Sequence, residues 1–177
     1  MTRFAATRVL EGSAPALLTS TAEFSHCNQY RYTLTRIWNP DKPVVLFIGL
    51  NPSTADAVRN DPTVRRCIGF ARRWRFGGLI VCNLFGYRST DPKPLRRLED
   101  PVGPGNDAAI RRACRSAGRI VAAWGIHGRL HGRDEEVLAM IERPFCLGVT
   151  QAGSPRHPLY LKAGTRLRTL RALTSVD

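Results

Sequence analysis

The chain of 177 residues has almost no lysine: Lys42, Lys93 and Lys162 are the only ones. It also has few carboxylates, 14 Asp+Glu against 27 Lys+Arg, so it carries a formal charge of +13. It contains no apolar run near 18 residues, which excludes a membrane-spanning helix, and Met1 to Leu10 lacks the apolar stretch of a signal peptide. It lacks paired cysteines as well. Cys27, Cys67, Cys82, Cys114 and Cys146 are scattered and odd in number, with no C-x-x-C pair. That spacing argues against a disulfide framework, a zinc site or an iron–sulfur cluster. Neither metal nor cofactor is expected, and a cytoplasmic, monomeric protein is the default reading.

What is present is ordinary globular composition, 43% hydrophobic and 23% charged, in a length typical of one domain. The positive charge is nearly all arginine, whose planar fork matches phosphate. A polyanionic partner is therefore expected, with DNA ahead of RNA. Arginine in place of lysine on a solvated surface is the plain compositional alternative.

No internal repeat or low-complexity segment is evident. Residues 1–28 are weakly patterned and read as an arm and lead-in, and residues 29–177 as a single α/β domain. Tyr30–Trp38 alternates aromatic or β-branched residues with polar ones, as a half-exposed strand does. Val44–Leu50 (VVLFIGL) is a continuous apolar run, the mark of a strand buried on both faces. Leu79–Leu84, Arg119–Trp124 and Phe145–Val149 repeat that signal. Between them lie helical spacings over Asp61–Arg75, Asn106–Ala117 and Gly132–Glu142, and Ala163–Leu173 reads as a closing basic helix. Asp61 followed by Pro62 is an N-cap with proline at the first helical position. The alternation predicts a three-layer α/β/α fold around a mainly parallel four-stranded sheet. In such sheets ligands bind beyond the carboxyl ends of the strands.

The strand-end loops hold the unusual residues. Gly49 to Asp56 reads GLNPSTAD: Gly49 permits close backbone approach, Pro52 stiffens the corner, and Asn51 is presented at the edge. An Asn-Pro turn that caps its own backbone is the structural alternative. Asn83 ends the second strand and is either satisfied in the core or aimed at a ligand. Trp124-Gly125 ends the third, and the fourth leads into GSPRHPLYL, where His157 sits on a loop braced by Pro155 and Pro158. Phe85 and Tyr87 could stack on a base or pack in the core. Arg88, Arg96, Arg97 and Arg156 flank these loops as phosphate contacts. Asp56 is either an acid or a helix cap.

In their order, GLNP, a strand-ending Asn, WG and an HP loop resemble the motifs of the uracil-DNA glycosylase superfamily. There the first takes forms such as GINPG or GMNPG and the last is HPSP. The chain is also similar to a bacterial domain-of-unknown-function family related to those enzymes, over residues 44–162. The resemblance implies that Asn51 positions an attacking water, that Asn83 reads the pyrimidine edge, and that His157 hydrogen-bonds the departing base. Substrate contacts would include Gly49, Pro52 and Phe85. The implied activity is hydrolysis of the N-glycosidic bond of a flipped damaged base. The alternatives are a non-catalytic nucleic-acid or nucleotide module, and an enzyme acting on free nucleosides or nucleotides. This chain departs from the pattern at Leu159, where the family has serine, at Ser53-Thr54, where it has glycine, and in lacking the first-motif acid of the uracil-specific branch.

Overall fold

A computed structural model describes the backbone of residues 3–5 and all of residues 17–170. Its centre is built from the apolar runs. β4 (Val44–Gly49), β5 (Gly78–Asn83), β6 (Arg119–Ala122) and β7 (Phe145–Cys146) lie side by side in the order β5-β4-β6-β7 and pair in parallel. The central strands are apolar along their middles, because both faces are covered there, and polar only at ends such as Asn83 and Arg119. Val45, Phe47, Leu79, Val81 and Val121 face α1 (Pro62–Arg73). Leu46, Ile48, Cys82, Ile120 and Ala122 face the opposite layer, α2 (Asn106–Ser116) and α3 (Arg133–Leu138). Three layers result, and the domain is of the α/β class.

The sheet is not four-stranded, and it is not mainly parallel. It has eight strands, four of them outside the parallel group. β1 (Arg3–Ala5), β2 (Thr19–Phe24) and β3 (Arg31–Ile37) extend one side antiparallel, β3 pairing with β5 through Leu34 opposite Val81. β8 (Arg168–Thr169) closes the other side antiparallel to β7. The expected boundary near residue 28 therefore does not mark the edge of the fold, since Thr19–Phe24 is a strand of the main sheet. The closing helix is also corrected: residues 163–170 are turn and strand rather than helix, and residues 171–173 lie outside those described.

α1 begins as its sequence dictates. The Asp61 Oδ1 accepts a hydrogen bond from the Val64 N–H (2.8 Å) behind Pro62, and Val64, Cys67, Phe70 and Ala71 form its buried stripe. Arg72 and Arg73 fall in its last turn, where the helix dipole favours cations. α2 begins differently. Asn106 does not cap it; the fully buried side chain donates from Nδ2 to Asn83 O and Leu84 O, both at 3.0 Å, and so pins the end of β5. Cys67, Cys82 and Cys146 are free and buried, and act as small core residues.

Candidate functional site

At the carboxyl edge of the parallel strands lies one cavity of about 730 Å³, on the side of the sheet that carries α1. Gly49, Asn51 and Ser53 enter it from the loop after β4, Asn83 from the end of β5, Trp124 to His127 from the loop after β6, and Arg156 to Pro158 from the loop after β7. Asn51, Asn83 and His157 thus share one cleft although they are far apart in sequence.

Asn83 is 3% exposed, and its Nδ2 has no hydrogen-bond partner. A buried amide left unpaired costs about 1–3 kcal/mol, so its persistence in a cavity wall points to a ligand acceptor. Its position depends on Gly49: a Cβ there would stand 2.8 Å from the Asn83 Oδ1. Glycine at 49 lets the amide lie against β4.

Asn51 is held by backbone carbonyls of its own loop and of the loop after β5. Its Nδ2 donates to Ser89 O (2.8 Å) and Pro52 O (3.2 Å). The amide N–H groups are thereby spent on backbone, and the Oδ1 is the atom left to accept from water. Pro52 is buried, does not line the cavity, and contributes its carbonyl to Ser89 N–H as well. Its role is to shape the corner rather than to touch a ligand.

His157 caps the short helical turn Pro158–Tyr160, its Nδ1 accepting from the Leu159 N–H at 3.4 Å. With Nδ1 as acceptor, the neutral ring carries its proton on Nε2 and is a donor there. Burial pushes its pKa below the usual histidine value, against an opposing pull from Asp61, so the neutral form is favoured. Arg66 of α1 donates to Leu161 O and ties this loop to the helix. Gly125, at φ 76, turns the preceding loop so that its backbone passes beside the His157 Cβ.

Several expected contacts are not in the cavity. Phe85 is fully buried on the opposite face of the sheet, edge-on to His131 at 6.4 Å between ring centroids. It packs α2 and α3 against the sheet and does not stack on a ligand. Arg88 donates to Asn28 O (3.0 Å) and covers the Phe24 ring at 4.9 Å, beside a smaller cavity of about 310 Å³. Arg96 and Arg97 are exposed but do not reach the main cavity. Arg156 does reach it, with its Nε on Val149 O (3.1 Å). Asp56 lies outside; its Oδ1 accepts from the Val58 and Arg59 N–H groups in a local turn, and it is neither the cap of α1 nor a cavity acid. Tyr87 meets Tyr30 edge to face at 5.9 Å and lines the smaller cavity.

Two charged residues line the cavity that the motifs did not bring forward, Arg31 and Asp61. Asp61 was legible as a cap, but its position at the cavity follows only from where α1 docks. Arg31 reads as a polar residue in an alternating strand. Because β3 runs antiparallel to β5, the start of β3 falls at the same edge as the end of β5, and Arg31 is carried to the site. Tyr160 adds an aromatic ring at the mouth, 83% exposed and 5.7 Å from the His157 ring.

These features define an α/β domain with an arginine-bearing cavity, a candidate ligand site, at the carboxyl edge of its parallel strands. The chain belongs to the family described as "Protein of unknown function (DUF1643)", whose model matches residues 31–159. The matched span contains Arg31, Asn51, Asp61, Asn83 and His157. No curated protein matches the chain, and no solved structure does. Among the described residues no helix is long and apolar enough to cross a membrane.

Proposed function

We propose that this protein is a nucleobase-directed enzyme that hydrolyses the N-glycosidic bond of a flipped base in DNA, as its motif resemblance to the uracil-DNA glycosylase superfamily implies. The observation that carries this reading is the buried, unpartnered Asn83 Nδ2 in a cavity that His157 also lines. The cavity volume falls in the range of small-molecule sites, roughly 300–1,000 Å³. Base cleavage leaves positive charge on the sugar and negative charge on the base oxygens. An Nε2–H of His157 directed at such an oxygen stabilises the transition state more than the ground state. The Asn51 Oδ1, with its amide N–H groups tied back, accepts from a water and holds it for attack at the sugar carbon. The Asn83 amide distinguishes bases by their donors and acceptors on the pairing edge.

A non-catalytic nucleic-acid- or nucleotide-binding module is favoured by one observation, the commitment of the Asn51 Nδ2 to the backbone carbonyls of Pro52 and Ser89. Incubating the protein with oligonucleotides that contain uracil, hypoxanthine or a mismatched base, and scoring abasic sites, separates the two. Base release supports the enzyme. Its absence across the panel, with nucleotide binding retained, replaces the enzyme by the module.

A further inference from the structure

We propose that the cavity holds a phosphate group against Arg31, so that its ligand is a nucleotide recognised through its phosphate as well as its base. Arg31 is 2% exposed and lines the cavity, yet no carboxylate lies within ion-pair distance of it among the described residues. Its Nη1 donates to Ala55 O (2.7 Å) and its Nε has no partner. Burying a guanidinium without a counter-charge is costly, and such a group is retained where a ligand supplies the charge.

Arg36 is buried nearby but is fully employed. Its guanidinium bonds Asn60 Oδ1 and the carbonyls of Thr35 and Asp56, which anchors the 55–60 loop. Arg31 has no such set of acceptors. Burial lowers the Arg31 pKa to about 10; Asp61 opposes this, while Arg88 and Arg36 press the same way. The local field is thus of cations facing one carboxylate. The amino end of the 12-residue helix α1 opens on the same cavity through Thr63, which adds partial positive charge. Ser53 and Thr63 bring hydroxyls to the wall. The Asp61 carboxylate caps that helix end and repels an anion, so the phosphate is assigned to Arg31 rather than to the cap.

The phosphate could be the diester of a nucleic acid or the monoester of a free nucleotide, and the recognising chemistry is shared. It does not depend on base release: a protein that cleaves nothing would show it, and a glycosylase could lack it. The test is calorimetric titration of the whole chain with deoxyuridine, dUMP, deoxyadenosine, dAMP and a short uracil-containing oligonucleotide. Inorganic phosphate serves as competitor. A nucleotide should bind roughly 10–100-fold more tightly than its nucleoside, the scale of a charge-assisted hydrogen bond pair, and inorganic phosphate should compete. In Arg31→Gln that difference should vanish while nucleoside binding stays. Arg31→Lys, which keeps the charge and loses the fork, should retain part of it. A preference for dUMP over the oligonucleotide assigns the monoester, and the reverse assigns the diester; either supports the proposal. Equal binding of nucleotide and nucleoside by the unmodified chain, no binding of any probe, or an unchanged increment in Arg31→Gln would overturn it.

Discussion

At His157 the geometry selects the tautomer and burial favours the neutral ring. Nδ1 is occupied by the Leu159 N–H, so the residue is a donor through Nε2 at neutral pH. In the proposed reaction, His157→Ala should slow base release by roughly 10²–10³-fold, the cost of one transition-state donor, with little change in binding to undamaged DNA. Single-turnover rates alongside binding isotherms check this. Asn83→Asp should alter which base is released in a competition among substrates. The same burial has a stability signature. Because the folded-state pKa of His157 is lowered, the unfolded chain takes up a proton first as pH falls below about 6.5. Its stabilising contribution is full above that value and is lost as pH falls toward the lowered folded-state pKa. Melting curves of the wild type and His157→Gln from pH 7.5 to 5 should show the wild type losing more stability. Equal losses would sink the assignment.

The elements show what patterning reveals and what it does not. The four buried strands were legible because a run such as VVLFIG admits few other environments, and α1 because Asp61-Pro62 announces its start. Its cap gives a clean separation of roles. Asp61→Ala should cost about 0.5–2 kcal/mol of stability, whereas Asp61→Asn keeps the capping oxygen and should melt near wild type. Asp61→Asn should still lower the His157 titration midpoint in NMR spectra, because the carboxylate that raises it is gone. β2 is not legible in sequence because TSTAEF carries small polar residues: Ser20 is buried but satisfied by Ala57 O, and only Ala22, with the partly buried Phe24 beside it, reaches the core. The fourth strand stops at Cys146 because Gly148, at φ 123, turns the chain, and Val149 then bridges Pro155. The closing segment pairs with β7 because tertiary pairing outweighs an amphipathic pattern. In the site, loop residues with unusual chemistry were legible, while Arg31 and Asp61 were not, since their place depends on strand order and helix docking.

For the whole molecule, the arginine excess matters by where it is free to act. Arg156 lines the cavity and Arg129 lies exposed, bonded to Ala152 O. Arg88 is already engaged with Asn28 O and Phe24. If DNA is the partner, binding should weaken steeply with salt, with each phosphate contact adding roughly one unit of log–log slope. Arg156→Ala should reduce that slope by about one unit, and Arg88→Ala should leave it nearly unchanged. Fluorescence anisotropy over a salt series measures both. A slope near zero for the wild type would favour a free nucleotide as ligand.

The contact between Gly49 and the Asn83 amide makes the two positions genetically dependent. Gly49→Ala places a methyl 2.8 Å from the Asn83 Oδ1, so its damage is transmitted through the neighbouring strand rather than through the mutated one. A smaller side chain at 83 frees that space. Asn83→Ser should restore more stability in the Gly49→Ala background than it changes in the wild type, a difference that a double-mutant cycle on thermal stability would register as coupling. A family in which position 49 drifts from glycine should therefore be found to have abandoned the amide at 83 as well.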